Sequence, residues 1–260
     1  MSINNVSYII GHRGNQSHRL ANLLCVIRSV QRLGCEIIVV EQDSNPFCKT
    51  HIENLGAKYI FAENNGMYNR SWAFNIGFKN TQKEQKEIIF LADNDILLNI
   101  ETIKDIANNF EGKDTINPYS NVIDCNPQKT DLLRKSNNNQ DFSGVARGRG
   151  GCNYAGGILV FSRNAFERVG GWDENFEGWG AEDNHMLLKI DKLGLKKENI
   201  VGNCLHLYHD RTPSARAFHK KYDNNLRQIG ILNKMSKDEC ISFCEKQYPI
   251  IGNVDRYKKG

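Results

Sequence analysis

Four short apolar segments, separated by stretches of helical periodicity, constrain the fold of this chain most strongly. They are Tyr8–Ile10, Ile37–Val40, Lys58–Ala62 and Ile88–Leu91. The second is an unbroken β-branched run, which is typical of a strand that is buried on both faces. Between the first two, helix-face spacing is followed by Leu20, Leu23, Leu24, Ile27 and Val30. Strands that alternate with helices predict an α/β fold with a mostly parallel sheet, whose ligands bind at the carboxyl ends of the strands.

Composition and charge exclude several classes of protein. The chain has 260 residues, of which 40% are hydrophobic and 25% are charged, and its mean hydropathy is −0.54. No apolar run approaches the ~18 residues of a membrane span, and the N-terminal sequence lacks a signal-peptide pattern. A net charge of +4 is too small for a nucleic-acid-binding surface. We therefore expect a cytoplasmic globular protein with no nucleic-acid partner.

The eight cysteines predict neither a disulfide framework nor a zinc site. The chain is too long for a disulfide-stapled mini-protein, and no C-x-x-C pair is present. Cys240 and Cys244 lie one helical turn apart, which indicates packing between helices. Reduced thiols are the expectation.

The second half of the chain changes character. Residues 111–153 are rich in Asn, Gly and charge, and we interpret them partly as a mobile loop. Within them, residues 136–151 are either a lid that orders on donor binding or a surface loop. Order returns with a strand at Ile158–Phe161, a helix at Asn164–Val169 and another helix from about Ala181. From about Ser214 the chain again has helical character.

The clearest local motif is Asp93-Asn94-Asp95, directly after the fourth apolar segment. Residues n and n+2 of an extended chain point the same way, so both carboxylates can face one spot. Paired oxygen ligands suit Mg²⁺ or Mn²⁺, which bridge the phosphates of a nucleotide. The alternative is an Asx turn that ends a strand.

A second motif combines tryptophan, glycine and acidic residues within Gly170–Asp183. An exposed indole such as that of Trp179 offers a flat apolar face for a sugar ring. Glu182 and Asp183 fall in the first turn of the next helix, where the helix dipole stabilises anions. Such a carboxylate can accept a hydroxyl proton as a general base. The alternative is an acidic helix start behind a packed tryptophan.

Two histidines, His206 and His209, follow near the end of the α/β core. In a strand they would face opposite sides, whereas in a turn both imidazoles could converge on one metal ion. The alternative is a pair of hydrogen-bonded structural histidines.

Together these motifs resemble two known groups of glycosyltransferases. Tyr68–Phe78 and Asp93–Asp95 resemble the donor half of β-1,4-galactosyltransferases, while Tyr154–Gly157 and Gly171–Asp183 are similar to their acceptor half. The same elements occur in bacterial family 2 and chondroitin-polymerase-like transferases, which build capsule and O-antigen. The resemblance implies a GT-A fold at residues 1–213, with a nucleotide-sugar half (1–100), an acceptor and catalytic half (150–213) and a helical extension at 214–260.

The resemblance also implies a cofactor and a donor site. Asp95 and His209 would bind Mn²⁺ or Mg²⁺, with Asp93 supporting the metal or the donor ribose. His206 stands where the animal enzymes have a methionine ligand. The residues that would bind the UDP-sugar are His12, Arg13, Glu41, Asp43, Arg70, Asp93, Asn94, Tyr154 and Gly157.

For the acceptor, the resemblance implies contacts from Trp179, Gly180, Glu182 and Asp183, with Asp183 as the catalytic base. An aspartate at that position favours inversion at the anomeric carbon, because related retaining enzymes carry Asn there. A retaining transferase of the same fold, a nucleotidyltransferase and a non-catalytic glycan-binding module are the alternatives. The module would not need Asp93 or Asp95, and the nucleotidyltransferase lacks its Lys-containing glycine-rich loop.

The expected partners are a UDP-sugar, with galactose or N-acetylgalactosamine favoured, and a glycan acceptor that is linked to lipid. At most, peripheral contact with the inner face of a cell membrane is expected. The basic tail of Arg256, Lys258 and Lys259 could provide that contact. The alternative is a solvated chain end.

Overall fold

The centre of the molecule is a seven-stranded sheet, and a four-stranded sheet lies at its carboxyl edge. In this computed structural model the described residues are 3–14, 17–82, 87–136, 140–148, 154–210 and 219–258. The strands of the larger sheet are β1 (Val6–His12), β2 (Glu36–Asp43), β3 (Lys58–Glu63), β4 (Ile88–Asp93), β6 (Thr115–Asn117), β9 (Ile158–Ser162) and β10 (Lys197–Asn199). Those of the smaller sheet are β5 (Ile96–Leu97), β7 (Asn121–Asp124), β8 (Arg147–Gly148) and β11 (Asn203–His206).

Nine α-helices are present among the described residues. They are α1 (Ser17–Gln31), α2 (Lys49–Glu53), α3 (Arg70–Lys79), α4 (Ile100–Asn108), α5 (Pro127–Lys135), α6 (Arg163–Arg168), α7 (Glu182–Leu193), α8 (Tyr222–Lys234) and α9 (Lys237–Gln247). A short 3-10 helix, Tyr248–Ile250, follows α9. None of the described helices has the length and apolar character needed to cross a membrane.

The predicted α/β fold with a mostly parallel central sheet is confirmed. The strand order is β10-β6-β9-β4-β1-β2-β3, and β1 to β4 pair in parallel with their neighbours. The exception is β9, which lies antiparallel between β4 and β6. Apolar side chains on the two faces of this sheet form two buried clusters. The continuous apolar runs of β1, β2 and β4 arise because helices or the smaller sheet cover both faces.

Residues 111–153, which we interpreted partly as a mobile loop, form regular secondary structure over residues 115–135. This stretch contains β6, β7 and α5, and its apolar side chains are buried. The buried residues are Ile116, Tyr119, Val122, Ile123, Cys125 and Leu133. The polar composition of this stretch did not indicate these elements, because each short strand contributes only a few buried apolar residues to it. Of the predicted lid at 136–151, residues 137–139 and 149–151 lie outside the described ranges.

The C-terminal helices pack on the core, as their helical character predicts. Helix α8 contacts α7, and α9 contacts both α6 and α7. Cys240 and Cys244 are fully buried, and the seven cysteines within the described residues are free thiols. The division at residue 213 stays a prediction.

The charges of the basic tail are engaged within the protein. Arg256 Nη1 lies 3.1 Å from a carboxylate oxygen of Glu174, and Lys258 Nζ lies 2.6 Å from Asp255. Glu174 is buried and also accepts from the backbone N–H of Gly252 at 2.6 Å. Lys259 lies outside the described residues. Arg256 therefore anchors the chain end to the core, and membrane contact through the tail stays a prediction.

Candidate active site

The carboxyl ends of neighbouring parallel strands bring the first group of predicted residues together. His12 ends β1 and Asp93 ends β4, and these two strands are adjacent in the sheet. Asn94 then donates from Nδ2 to His12 Nδ1 at 2.5 Å, while the other ring nitrogen of His12 donates to the Gly14 carbonyl at 3.0 Å. Burial lowers the pKa of His12 to about 4, so the ring is neutral and keeps these roles near pH 7.

Arg13 extends this edge with one unused donor. Its Nη2 atom donates to the Asn64 carbonyl at 3.1 Å. Its Nη1 atom is buried and has no hydrogen-bond partner among the described residues. A half-buried guanidinium with an unsatisfied N–H is a suitable group to meet an anionic ligand.

A second group, which we call the His-His-Asp cluster, consists of Asp95, His206 and His209. His209 Nε2 lies 3.1 Å from Asp95 Oδ2, and His206 Nε2 lies 4.0 Å from Asp95 Oδ1. One ligand atom from each residue lies within 4.8 Å of the others. The two imidazoles converge because His206 ends β11 and His209 lies in the loop beyond it.

The donor set of the His-His-Asp cluster fits a divalent metal ion. Two imidazole nitrogens and one carboxylate on one side of an ion are a common arrangement, which leaves other positions open. To hold one ion, the three ligand atoms, which lie within 4.8 Å of one another, would have to move closer together.

Electrostatics within the cluster keep the Asp95 carboxylate charged. The hydrogen bond to Asp95 raises the pKa of His209 above its usual value. Burial alone would raise the pKa of Asp95, but the hydrogen bond from His209 and the nearby His206 hold that pKa below its usual value. The Asp95 carboxylate therefore stays charged and can act as a ligand.

Asp93 is not a member of the His-His-Asp cluster. Although it lies two residues from Asp95, a turn at Asn94 interrupts the extended chain, and Asp93 instead binds Arg70. The expectation that both carboxylates face one spot is therefore wrong in its geometry. Burial raises the pKa of Asp93 to about 6 even beside this arginine.

Arg70 is the centre of a third group, which we call the arginine fork. Its Nε atom donates to Asp93 at 2.6 Å, and its Nη1 atom donates to Asp183 at 2.6 Å. Its Nη2 atom lies 3.4 Å from the Gly157 carbonyl. Only 9% of the Arg70 side chain is exposed. The arginine thus joins the predicted donor half of the site to the predicted catalytic base.

Local structure holds Arg70 in place. Arg70 is the first residue of α3, whose N-cap Asn69 accepts a hydrogen bond from the Trp72 N–H at 2.9 Å. The guanidinium carbon lies 4.8 Å from the ring centre of Phe74 and 5.1 Å from that of Trp172. Aromatic faces attract a cation at this range.

Helix α7 begins with the acidic pair Glu182 and Asp183, directly after a loop whose backbone is strained. Ala181 precedes the helix with φ of 76°, a left-handed conformation that alanine rarely adopts, and Gly180 has φ of 111°. The Gly180 N–H donates to Glu182 at 2.9 Å. Burial, together with the charge of Asp183, raises the pKa of Glu182 to about 7. Strain of this kind persists where the surroundings hold it, often at functional sites.

Trp179 lies at the tip of this loop, and 51% of it is exposed. Its indole stacks on Tyr222 of α8, with ring centres 6.3 Å apart and planes 5° from parallel. Asn225 of α8 donates to the carbonyls of Glu177 and Gly180, both at 3.1 Å. Helix α8 therefore supports the loop from outside and leaves the tryptophan accessible.

The contacts of the structure do not join the predicted donor-site residues Glu41 and Tyr154 to these groups, while Asp43 acts on His12 and Arg13 through its charge alone. The buried Glu41 carboxylate accepts from the N–H groups of Phe47 and Cys48 and from Tyr59, which makes it an anchor for the loop after β2. Asp43 accepts from the Ser44 N–H at 2.8 Å. The hydroxyl of buried Tyr154 donates to the Thr115 carbonyl at 2.8 Å. Binding roles for these three residues stay predictions.

Gly157 acts through its backbone. Its carbonyl accepts from the Asp93 N–H at 2.9 Å, beside Arg70 Nη2. Its φ is 80°, and a Cβ atom there would lie 2.1 Å from the Tyr119 hydroxyl. Only glycine meets both requirements without strain.

Sequence reasoning missed three residues that contact the site. Arg19 of α1 donates to the Asp210 carbonyl at 2.9 Å and lies 3.3 Å from His209 Nδ1. Asp124 accepts from His206 Nδ1 at 2.8 Å. The Tyr68 hydroxyl packs over Gly11, and burial raises the pKa of Tyr68. No local motif marks Arg19 or Asp124, whereas Tyr68 opens the quoted Tyr68–Phe78 segment.

Two family models match the chain. The model for glycosyl transferase family 2 matches residues 15–170, which is more than half of the chain. The chain belongs to glycosyl transferase family 2. A second model, described as the N-terminal domain of galactosyltransferase, matches residues 147–210. The two matches together span the arginine fork, the acidic pair and the His-His-Asp cluster.

Among curated proteins, this family 2 member is similar to β-1,4-galactosyltransferase 4 from several rodents. It is 23% identical to the enzyme of Cricetulus griseus over 249 residues, which cover 94% of this chain and 58% of that one. It is 21% identical to the enzyme of Mus musculus over 250 residues, with the same shares covered. The chain thus spans 58% of the length of these relatives.

Solved structures share the GT-A fold with this chain. GalNAc-T7, in complex with UDP, GalNAc and Mn²⁺, aligns with a TM-score of 0.58 and 15% identity over 88% of this chain and 48% of that chain. Glucosyl-3-phosphoglycerate synthase from Mycobacterium tuberculosis, in complex with Mn²⁺, UDP-glucose and phosphoglyceric acid, aligns with a TM-score of 0.55 and 14% identity. This alignment covers 87% of this chain and 80% of that chain. At these identities the likeness establishes the fold alone.

Proposed function

We propose that this chain transfers a hexose, galactose or N-acetylgalactosamine, from a UDP-sugar to a hydroxyl of a glycan acceptor, with a divalent cation as cofactor. The observation that carries the proposal is the position of the arginine fork, which places Asp183 and Asp93 on one guanidinium group. The same edge carries the His-His-Asp cluster, since Asp95 follows Asp93 by two residues. Family membership supports sugar transfer, and the galactosyltransferase relatives support the choice of hexose.

The donor would bind along the carboxyl edge of β1 and β4. Arg13 offers a buried, unpartnered N–H to a phosphate or ribose oxygen. Asn94 and neutral His12 form a fixed hydrogen-bonded pair beside it. Asp95, His206 and His209 would hold Mn²⁺ or Mg²⁺, which when bound stabilises charge on the diphosphate as a Lewis acid. The complexes of GalNAc-T7 and of the glucosyl-3-phosphoglycerate synthase contain Mn²⁺ with UDP or UDP-glucose, which supports this choice of cofactor.

Asp183 would be the general base that takes the proton of the acceptor hydroxyl. The carboxylate lies at the start of α7, and its contact with Arg70 fixes its position relative to Asp93. Glu182 beside it has a pKa raised to about 7 by burial, so near neutral pH it can hold a proton and donate it in a hydrogen bond to a sugar oxygen.

Trp179 would provide the stacking face for the acceptor. The indole is half exposed, and its other face is supported by Tyr222. A rigid aromatic group that is already supported contributes contact area at little cost in conformational entropy. We assign the acceptor site to this loop and propose residues 1–213 as the transferase domain.

Attack by the activated hydroxyl on the face opposite the leaving diphosphate would invert the anomeric carbon. A retaining transferase of the same fold is the second candidate, because the segment that ends in Asp183 also resembles that of related retaining enzymes, which carry Asn at that position. NMR of the product decides between them: a UDP-α-sugar that yields a β-linked product supports the role of Asp183, whereas an α-linked product contradicts it.

The first experiment is UDP release from a panel of UDP-sugars, with Mn²⁺ or EDTA and with a mixture of glycan acceptors. We expect one donor to dominate, and we expect release to stop with EDTA and in Asp95→Asn. Asp105→Asn, on the exposed face of α4, is the matched control and should keep full activity. Absence of both UDP release and metal-dependent UDP binding would exclude the transferase function and favour a glycan-binding module.

The biological setting we propose is bacterial surface-polysaccharide synthesis, with a lipid-linked acceptor met at the membrane. Arg256 and Lys258 both have acidic partners within the protein, so we propose that membrane contact comes through the acceptor lipid rather than through the tail. Liposome flotation tests this step. Binding only to vesicles that contain a lipid-linked saccharide agrees with it, while equal binding to plain anionic vesicles contradicts it.

A further inference from the structure

Behind the His-His-Asp cluster lies a second ion pair that the proposed reaction does not use. Arg147 of β8 contacts both carboxylate oxygens of Asp124: its Nε atom reaches one of them, and its Nη2 atom lies 3.0 Å from the other. Asp124 in turn lies 2.8 Å from His206 Nδ1. Arg147, Asp124 and His206 are thus connected by successive hydrogen bonds, from the edge of the smaller sheet to the cluster.

The register of the smaller sheet creates this line. β7 and β11 are parallel, and Asp124 is the direct cross-strand partner of His206. β8 pairs antiparallel with β7 and places Arg147 opposite Val122. On the other side of β11, His206 pairs with Ile96, the residue that follows Asp95. The smaller sheet therefore positions both His206 of the cluster and the Asp124–Arg147 pair that contacts it.

The chemistry of the contact fixes which nitrogen of His206 carries hydrogen. A carboxylate held by an arginine is an acceptor only, so Nδ1 must be the protonated nitrogen of a neutral His206. The lone pair then belongs to Nε2, which is the nitrogen that faces Asp95. Outer hydrogen bonds of this kind orient metal-ligating histidines and fix their tautomer.

We propose that Asp124, held by Arg147, is a positioning residue that makes His206 a metal ligand. The inference rests on the proposed metal-dependent function. Its consequence is a site with two nitrogen ligands, which favours Mn²⁺ and other transition-metal ions over Mg²⁺, a cation that prefers oxygen. Loss of Asp124 would free the ring to rotate or change tautomer and would leave only Asp95 and His209 aligned.

The test measures Mn²⁺ and Mg²⁺ binding by isothermal titration calorimetry on the full chain, without nucleotide. Asp124→Ala is expected to weaken Mn²⁺ binding about 10- to 100-fold, the usual effect of losing such an outer hydrogen bond. Binding of Mg²⁺ should change less. Asp191→Ala is the matched control, since Asp191 of α7 also forms a half-exposed ion pair, with Lys197 of β10, outside the smaller sheet. Circular dichroism checks that each variant is folded.

Two further measurements separate positioning from a merely structural role. In ¹H–¹⁵N spectra, His206 should be the Nδ1–H tautomer in the unsubstituted protein and should lose this preference in Asp124→Ala. In the His206→Ala background, Asp124→Ala should weaken Mn²⁺ binding no further, because it acts through His206.

The outcomes separate the inference from the proposed function. No Mn²⁺ binding by the unsubstituted protein would contradict both. If the unsubstituted protein and Asp124→Ala both bind Mn²⁺, with dissociation constants within threefold of each other, the inference is overturned and the proposed function stays intact. Equal losses in Asp124→Ala with and without His206 would also overturn it, since the effect would then not pass through that ring.

Discussion

Replacement of Arg70 by methionine should destabilise the protein, and the loss should depend on pH in a definite direction. Methionine keeps an apolar stem against Phe74 and Trp172 but removes the charge that joins Asp93 to Asp183. Removing one partner of a buried ion pair costs about 3–5 kcal/mol because the other charge is left uncompensated. The side chains of Asp93 and Asp183 are 34% and 24% exposed, so solvent screens part of this cost. We expect a loss of about 2–3 kcal/mol at pH 8.

The pH dependence follows from Asp93. Its pKa in the folded protein is about 6, against 3.8 for the ordinary group, and Arg70 acts to lower it. Without Arg70 the folded pKa of Asp93 should rise further. A carboxyl group whose folded pKa is raised destabilises the fold as it ionises, so its cost is absent below about pH 4 and grows as pH rises through the folded pKa. The loss in Arg70→Met should therefore be smaller at pH 5, where Asp93 is protonated, than at pH 8.

Urea unfolding at pH 5 and pH 8 measures both quantities. Lys104→Met serves as the control, because it removes a paired cation from the exposed face of α4 and should change stability by less than about 0.5 kcal/mol at either pH. In an Asp93→Asn background, Arg70→Met should cost about 1 kcal/mol less at pH 8. A loss that is equal at the two pH values, or larger at pH 5, would refute the assignment of Arg70 as the counter-ion of Asp93.

Three further changes test the loops around the site. Gly157→Ala should lower the free energy of unfolding by about 2–4 kcal/mol, because of the positive φ and the clash with the Tyr119 hydroxyl. In a Tyr119→Phe background this loss should be about 1 kcal/mol smaller. Equal losses in both backgrounds would contradict the clash. Ala181→Gly should stabilise the fold by about 0.5 kcal/mol, because glycine relieves the strained φ and loses part of this gain as entropy; a lower unfolding midpoint would contradict the strain. Trp179→Ala should raise the KM for the acceptor about tenfold, a loss of about 1.4 kcal/mol, with little change in the KM for the donor; a change confined to the donor would contradict its role.

The central sheet was predictable because its signals are local. Each of β1, β2, β3 and β4 is a run of apolar residues long enough to be recognised on its own. The helix start at Glu182 could also be placed, since two acidic residues follow a glycine-rich segment. In β1, β2 and β4, burial on both faces removes the alternation of apolar and polar residues, and an unbroken apolar run is itself the pattern of a parallel core strand.

The smaller sheet was not predictable in the same way. β5 and β8 contain two residues each, and β7 and β11 contain four, too few for a periodic pattern. Their pairing depends on segments that lie far apart in the chain. Polar composition around them suggested a loop, whereas tertiary pairing decided the outcome.

The acidic motif shows how far local spacing can be trusted. Asp93 and Asp95 were correctly singled out, but the rule that residues n and n+2 share a direction holds only in extended chain. The turn at Asn94 separates the carboxylates, so that Asp93 contacts an arginine from α3 and Asp95 contacts histidines beyond β11. Which partner each carboxylate meets depends on helix and strand positions that no short motif records.

The same reasoning explains why the support behind the cluster could not be predicted. Asp124 and His206 are 82 residues apart, and neither belongs to a motif that names the other. The parallel register of β7 and β11 makes them neighbours, and a shift of that register by one residue would turn one of the two side chains to the opposite face. A motif search can therefore find the residues that would bind the metal. The tautomer with which His206 would bind it depends on its contact with Asp124, and that contact depends on the register of β7 and β11. For this reason the tautomer of His206 is the more direct test of the structure, and metal affinity the more direct test of the function.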